Sequence, residues 1–282
     1  MAHASLVSAE WLHRRLEAPD IVVLDGSWYL PAAGRDAEAE YRAARIPGAI
    51  RFDIDAMSDA DSSLPHMMPR PEVFAARMRA LGVGDGLHVV VYDGQGMFSA
   101  PRVWWMLRTF GVRDVCVLDG GLPAWIAAGY ATEDGAPRVR DRRHFSARLD
   151  HGAVADADDV ARALADGTAQ VVDARSGPRF RGEEPEPRAG VRPGHMPGAR
   201  NLHYGALLAD GHLKSPDELR RVFAENGVDP DHPVVATCGS GVTAAIIALA
   251  LETLGRPAHA LYDGSWSEWG ADASRPVATG PA

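Results

Sequence analysis

The sequence predicts an α/β fold made of two similar domains, each with a central, mainly parallel sheet flanked by helices. Short β-branched runs alternate with helix-like stretches, which is the pattern of parallel α/β architecture. The whole alternation occurs twice along the 282 residues, which is enough chain for two domains of ordinary size. The hydrophobic content of 46% is that of a globular protein.

An internal duplication is visible as four anchors that recur in the same order. They pair residues 22–25 (VVLD) with 171–173 (VVD), 46–49 (IPGA) with 196–199 (MPGA), 89–96 (VVVYDGQG) with 234–241 (VVATCGSG), and 118–125 (LDGGLPAW) with 262–269 (YDGSWSEW). Chance is a poor explanation for this order. Each anchor therefore predicts the same element in both domains.

Helices are predicted at matching places, over 71–81 and 216–226. Each is followed by a Gly-Val pair that begins at Gly82 or Gly227, and glycine suits a helix C-terminus. The charged segment around 131–149 has no periodicity. We therefore predict an N-terminal domain over 1–135, a linker over 136–149 and a C-terminal domain over 150–282.

Composition and charge exclude several classes of function. A net charge of −9 argues against nucleic acid as the main partner, and the longest apolar stretch, 244–251, is too short to span a bilayer. Two cysteines and a start without a signal-peptide pattern lead us to expect a cytoplasmic protein. No zinc-ligand spacing and no phosphate-loop lysine are visible, so neither a metal nor a nucleotide is expected.

The most informative stretch is the six-residue loop 238–243 (CGSGVT), called the cysteine loop below. It lies between an apolar run and the helix-like run 244–251, so backbone N–H groups and a positive helix end are expected to favour the thiolate of Cys238. A buried, inert cysteine is the alternative, but the two glycines of the loop argue against it. The first copy has Asp93 at this position, which cannot form a sulfur–sulfur bond. Only the second domain is therefore predicted to be catalytic.

A tandem α/β repeat with a cysteine loop in the second copy resembles the two-domain rhodanese family of sulfurtransferases. The loop is most similar to that of the members that use 3-mercaptopyruvate. Thiosulfate-preferring relatives typically carry two cationic residues after the cysteine, where this chain has Gly239 and Ser240. The resemblance implies that sulfur passes from 3-mercaptopyruvate to Cys238 as a persulfide, with pyruvate released and no bound cofactor. Thioredoxin, a small thiol or cyanide would then accept the sulfur, and the loop residues Gly239, Gly241, Val242 and Thr243 would surround it.

The same resemblance assigns residues outside the loop. It implies that Arg179 and Arg188 bind the carboxylate and keto oxygen of the substrate, which suits the forked geometry of guanidinium groups; Arg181, in the same run, is a weaker match. It also implies a Ser240–His66–Asp55 relay that handles a proton. Since His66 and Cys238 come from different halves of the sequence, we expect the active site where the two domains meet.

Three other functions are compatible with parts of the sequence. Thiosulfate:cyanide sulfurtransfer on the same fold is the nearest alternative, and a non-catalytic persulfide carrier would need neither the two arginines nor the Asp55–His66 pair. Cysteine phosphatase chemistry needs an arginine that closes the loop, whereas Ala244 follows Thr243. We further expect Cys116 to be a core residue, the tryptophans of residues 104–105 and 266–269 to pack helices on sheets, and Trp28 to border the cleft. Arg45 stands where the second copy has His195, and we expect this change to leave the chemistry unaffected and to alter at most the domain surface.

Overall fold

The computed structural model describes residues 5–138, 140–256 and 260–281. Residues 1–4, on which the expectation of a missing signal peptide rested, lie outside the described part. Within that part, none of the helices has the length and apolar character needed to cross a membrane.

The chain forms two compact units, and each includes one short segment from the half of the sequence that otherwise forms the other unit. Unit 1 contains the described residues up to Ala60, Met68–Asp150 and Asp210–Leu213, and unit 2 contains Asp61–Met67, His151–Ala209 and the described residues from Lys214 onward. Residues 136–149, predicted as a linker, belong to unit 1, where Phe145 is buried and Arg148 N donates to Phe110 O. The domain boundaries proposed from the sequence stay a prediction.

Unit 1 has a five-stranded parallel sheet with the strand order β1-β5-β4-β2-β3. Its strands are β1 Leu6–Val7, β2 Ile21–Asp25, β3 Ile50–Arg51, β4 His88–Tyr92 and β5 Val115–Leu118. Its helices are α1 Ala9–His13, α2 Ala37–Ala43, α3 Ile54–Met57, α4 Pro71–Ala80, α5 Ala100–Thr109 and α6 Gly121–Ala127, with a 3-10 turn at Pro31–Ala33. β2 and β4 are apolar and mostly buried because helices cover both faces of a parallel sheet.

Unit 2 repeats this sheet with the order β6-β12-β11-β7-β8, again all parallel. The strands of the second half are β6 Val154–Ala155, β7 Gln170–Asp173, β8 Arg200–Asn201, β9 Leu208–Ala209, β10 His212–Leu213, β11 Val234–Thr237 and β12 Ala260–Tyr262. Its helices are α7 Ala157–Asp166, α8 Gly177–Arg181, α9 Pro216–Glu225, α10 Ala244–Thr253 and α11 Ser265–Trp269, with 3-10 turns at His151–Ala153 and Tyr204–Leu207. The predicted duplication and α/β class are confirmed.

Local sequence signals explain where the elements end. Helices α4 and α9 end within one residue of their predicted limits, and Gly82 and Gly227 follow with φ of 71° and 68°. This left-handed conformation is accessible to glycine without a Cβ penalty. The four tryptophans of α5 and α11 are buried, as expected of side chains that pack helices onto sheets.

Arg45 corrects one expectation. It is fully buried rather than superficial, and its guanidinium pairs with Glu133 and donates to the carbonyl oxygens of Asp134, Gly135 and Ala136. In the second copy, His195 Nδ1 lies 2.9 Å from Phe180 O instead. The substitution therefore changes an internal anchor and not the domain surface.

The strand order also determines where a ligand site forms. In unit 2, β7 and β11 are neighbours in the sheet, and the chain proceeds outward from them in opposite directions. Such a switch point leaves a crevice beyond the carboxyl ends of the two strands. Arg175 follows β7 closely and Cys238 follows β11 directly, so both arrive at this crevice.

Candidate active site

Cys238 lies at the carboxyl end of the central strand β11 and is buried, with 2% of its surface exposed. The cysteine loop then turns into α10, whose N-cap position is Thr243. Gly241 has φ of 79°, which a residue with a side chain rarely adopts, and Val242 is buried beneath the turn. The loop therefore curls around Cys238 and presents the amino-terminal end of a ten-residue helix.

The first copy shows what this type of loop holds. Asp93, at the position of Cys238, accepts hydrogen bonds through Oδ2 from the backbone N–H groups of Phe98, Ser99 and Ala100, each at 2.8 Å. Its Oδ1 accepts another at 2.8 Å from Gln95 N. Four N–H groups thus converge on one buried carboxylate. Loops of this type are nests that favour an anion, and the anion in the second copy would be the sulfur of Cys238.

Ser240 and His66 are in direct contact within unit 2. His66 Nδ1 lies 3.0 Å from Ser240 Oγ and 3.3 Å from Ser240 O, and both residues are buried. His66 belongs to the segment Asp61–Met67, which comes from the first half of the sequence but is part of unit 2. Its φ of 61° is left-handed, a strained conformation that is found more often at functional sites.

Arg179 faces the cysteine loop from helix α8. A Cβ atom on Gly239 would lie 3.2 Å from Arg179 Nη2. The guanidinium therefore lies close to the loop backbone at Gly239, which has no side chain. Glu186 holds this guanidinium, accepting from Nε at 3.2 Å and from Nη2 at 2.5 Å. A side chain at position 239 would therefore press on the Arg179 guanidinium and shift it by a few tenths of an ångström.

Glu186 also binds a second arginine and so forms a buried network. Its Oε1 accepts from Arg175 Nη1 at 2.8 Å. Arg175 also forms a forked pair with Asp173, and its Cζ lies 4.4 Å from the centroid of the Trp266 ring. Burial by itself lowers the pKa of Arg175. The carboxylates of Asp173 and Glu186 have a larger opposite effect, so the pKa of Arg175 is raised overall. Arg175 is therefore a fixed cation that anchors Glu186, and Glu186 in turn anchors Arg179.

The other two arginines of this region, Arg188 and Arg181, are both half-buried. Arg181 donates twice to Glu183, at 2.7 Å each, and the two side chains are 37% and 54% exposed. A pair so open to solvent is screened and contributes little to stability. Among the described residues, no contact places Arg181 in the site.

Asp55 lies in unit 1, in helix α3. One of its carboxylate oxygens accepts a hydrogen bond from the indole Nε1 of the buried Trp28 at 3.1 Å. Trp28 N in turn donates to Ser99 Oγ at 3.0 Å. The indole of Trp28 thus holds the carboxylate of Asp55 in place. The role of Asp55 in the proton relay stays a prediction.

Sequence reasoning missed the turn that holds the cysteine loop from outside. Ser265 Oγ accepts from Cys238 N at 3.4 Å, Trp266 N donates to Cys238 O at 3.0 Å, and Ser267 donates to Gly239 O through both N, at 2.9 Å, and Oγ, at 2.6 Å. The sequence alone indicates residues 262–269 as a repeat anchor with packing tryptophans, and does not indicate these contacts. The signal that could have revealed them is their difference from the first copy, which has Gly121 and Pro123 where the second has Ser265 and Ser267.

Cys116 is a core residue, as expected. It lies within β5 with no exposed surface, and burial followed by the nearby Asp114 raises the pKa of its thiol to about 12. It is therefore protonated and unreactive at neutral pH. Across the described ranges, no three His, Cys, Asp or Glu side chains are grouped as a metal site requires.

Comparison with known proteins agrees with this site. The family model for the rhodanese-like domain matches residues 8–128 and 156–272. The chain is 47% identical over 278 residues to the 3-mercaptopyruvate sulfurtransferase of Escherichia coli (strain K12), covering 98% of this chain and 99% of that protein. It is also 47% identical over 272 residues to the human 3-mercaptopyruvate sulfurtransferase, covering 94% and 91%.

A solved structure agrees as well. The crystal structure of SseA from Escherichia coli, a 3-mercaptopyruvate sulfotransferase of rhodanese fold, matches with a TM-score of 0.86 and 44% identity over 94% of this chain and 99% of that one. Both halves of the sequence match the same domain model, and only the second carries a cysteine at the loop. This chain belongs to the rhodanese family as a two-domain sulfurtransferase.

Proposed function

We propose that this protein transfers sulfur from 3-mercaptopyruvate through a persulfide on Cys238. The observation that carries the proposal is the loop that follows the central strand in each copy. In the first copy it binds a carboxylate through four N–H groups. In the second copy a cysteine has that position, and the corresponding N–H groups of the cysteine loop would stabilise an anionic sulfur before and after the transfer.

In the first step, the Cys238 thiolate attacks the sulfur of 3-mercaptopyruvate. The new sulfur–sulfur bond forms as the carbon–sulfur bond breaks, and its electron pair leaves with the enolate of pyruvate. The proton of the substrate thiol is lost from sulfur and ends on the methylene carbon, giving pyruvate and an anionic persulfide. Atoms and charge balance without any oxidant, reductant or bound cofactor, so the covalent enzyme form is sufficient.

The arginines bind the two planar ends of the donor. Arg179, held over Gly239 by Glu186, and Arg188 pair with the carboxylate and the keto oxygen. Charge on the keto oxygen grows as the enolate forms, so an arginine there binds the transition state more tightly than the ground state. Gly239 and Ser240 are uncharged, and they add no cationic side chain suited to a small dianion such as thiosulfate.

The proton is handled by Ser240 and His66, which lie 3.0 Å apart. Ser240 follows the nucleophile by two positions in the same loop, and an imidazole in contact with a hydroxyl is the usual form of a general acid–base unit. Asp55 is the third member of the proposed relay, as the resemblance implies.

In the second step, a thiolate or cyanide attacks the outer sulfur, the sulfur–sulfur bond to Cys238 breaks, and its electron pair restores the Cys238 thiolate. The sulfur leaves on the acceptor, as a persulfide or as thiocyanate. Thioredoxin, a small thiol or cyanide would serve as the acceptor, since each offers a nucleophile that can reach a sulfur at the mouth of a loop. The reduced cysteine needed for this cycle suits the cytoplasm.

The donor is tested by measuring kcat/KM for 3-mercaptopyruvate and for thiosulfate with one common acceptor. We expect 3-mercaptopyruvate to be preferred by at least about tenfold, the effect of one or more charge-assisted contacts. Preference for thiosulfate would show that uncharged loop residues do not select the donor. Absence of turnover with both donors would favour a persulfide carrier.

The relay is tested by His66→Gln, with Asp55→Asn as a second variant. We expect His66→Gln to lower kcat by about 10²-fold while KM stays within about threefold, since acid–base catalysis acts on the chemical step. His144→Gln is the matched control, because that side chain is exposed and pairs with Asp85 in unit 1. An unchanged kcat in His66→Gln would remove the relay from the mechanism.

A further inference from the structure

The turn that contains Ser265–Trp269 differs between the two copies at the positions that touch the loop. In both copies the turn donates one backbone N–H to the carbonyl of the residue that follows the central strand: Trp266 N to Cys238 O, and Leu122 N to Asp93 O, both at 3.0 Å. This contact is common to the catalytic and the non-catalytic copy. It therefore belongs to the fold and not to the chemistry.

A second contact is found in the catalytic copy alone. Ser267 donates to Gly239 O through its backbone N at 2.9 Å and through its hydroxyl at 2.6 Å. The residue at this position in the first copy is Pro123, which has neither an N–H nor a hydroxyl. There, the corresponding carbonyl, Gly94 O, has only a long contact of 3.5 Å with Arg35 Nη2 among the described residues.

The carbonyl of Gly239 controls the direction of the next N–H group. A trans peptide points its C=O and its N–H in opposite directions. Fixing Gly239 O toward Ser267 thus directs Ser240 N–H away from Ser267, toward the interior of the loop. The corresponding amide of the first copy, Gln95 N, donates to the Asp93 carboxylate at 2.8 Å.

The same peptide joins the two other parts of the site. Gly239 is the residue against which Arg179 rests, and Ser240 carries the hydroxyl that lies 3.0 Å from His66 Nδ1. A rotation of the 239–240 peptide would therefore move three groups together: the Ser240 N–H, the Ser240 hydroxyl beside His66, and the backbone that faces Arg179.

We propose that Ser267 is a positioning residue of the sulfur transfer, which locks the Gly239–Ser240 peptide through two hydrogen bonds to one carbonyl. It touches neither the substrate nor the reacting sulfur, and it acts through that peptide. The inference rests on the proposed function, because the orientation of Ser240 matters only if Cys238 carries the sulfur.

The test is a graded series at position 267 with 3-mercaptopyruvate as donor. Ser267→Ala removes the hydroxyl bond and is expected to lower kcat about fivefold, while Ser267→Pro removes both bonds and is expected to lower it about 10²-fold, the scale of losing one oriented donor. KM should stay within about threefold in both, since the arginines remain. Ser267→Thr keeps both donors and should retain nearly full kcat.

The chain provides its own controls for folding. Proline is compatible with this position because Pro123 is the third residue of α6, as Ser267 is of α11. Pro123→Ser and the exposed Ser274→Ala should leave kcat unchanged, and thermal unfolding of every variant is measured in parallel. If Ser267→Pro does not fold, the kcat of Ser267→Ala alone tests the positioning role.

The outcomes separate this inference from the proposed function. A wild-type kcat in Ser267→Ala, or in a folded Ser267→Pro, would overturn the positioning role and leave the sulfur transfer intact. A loss of stability without a loss of kcat would have the same meaning. Failure of the wild-type protein to release pyruvate from 3-mercaptopyruvate would instead overturn the function on which the role depends.

Discussion

Cys238→Ser is expected to abolish sulfur transfer, lowering kcat by about 10⁴-fold or more, as the loss of a nucleophile does. The serine hydroxyl is not ionised at neutral pH and cannot form a persulfide, whatever the loop N–H groups offer it. Serine is nearly isosteric with cysteine, so the cysteine loop and its contacts with Ser265–Trp269 should persist. The measurement is pyruvate release in a single turnover, which separates the first step from sulfur delivery.

Cys116→Ala is the matched control for this variant. Cys116 is buried in β5 and its thiol pKa is raised to about 12, so it contributes no thiolate at neutral pH. The control should keep the wild-type single-turnover rate. Pyruvate release by Cys238→Ser, or its loss in a folded Cys116→Ala, would contradict the assignment of the nucleophile.

Arg179→Ala is expected to lower kcat/KM for 3-mercaptopyruvate by about 10²-fold. One part of the loss is a charge-assisted, forked bond, worth about 1.5–3 kcal/mol. Another part arises because Glu186 would lose its ion pair with Arg179, so a carboxyl group that now holds the guanidinium would be left with Arg175 as its partner. Arg188→Ala should show a loss of similar size, without the effect of Glu186.

Arg181→Ala is the control that separates binding from local charge. Arg181 is on the same short helix as Arg179, but its guanidinium pairs with the exposed Glu183. Its removal should change kcat/KM by less than about threefold. Arg179→Lys adds a second comparison, because it keeps the charge and loses the fork. Equal losses of kcat/KM in Arg181→Ala and Arg179→Ala would show that these arginines act only through their positive charge and not through direct contacts with the substrate.

The sequence alone predicted those features that depend on local signals. The Gly-Val pairs after α4 and α9 marked the helix ends, and the cysteine between a strand and small residues marked the loop. The duplication was evident because the same strand and turn residues recur in one order. These signals reflect backbone preferences and hydrophobic burial, which act over a few residues.

Contacts between distant residues could not be predicted in this way. Glu186 binds Arg175 and Arg179 only because β7 and α8 bring the three side chains together, and no periodicity marks it. The burial of Arg45 depends on the carbonyl groups of residues 134–136, about 90 positions away in the chain. Likewise, nothing local indicates that residues 61–67 join unit 2, or that His66 adopts a left-handed conformation.

The most direct test mixes the wild-type protein with a stoichiometric amount of 3-mercaptopyruvate, without an acceptor, and measures pyruvate release together with the mass of the intact chain and its peptides. We expect one pyruvate per chain, a mass increase of one sulfur atom, and that sulfur on the peptide that contains Cys238. A thiol added afterwards should remove it and restore the original mass. Pyruvate release without added mass, or sulfur on Cys116 in place of Cys238, would contradict a persulfide mechanism at the cysteine loop.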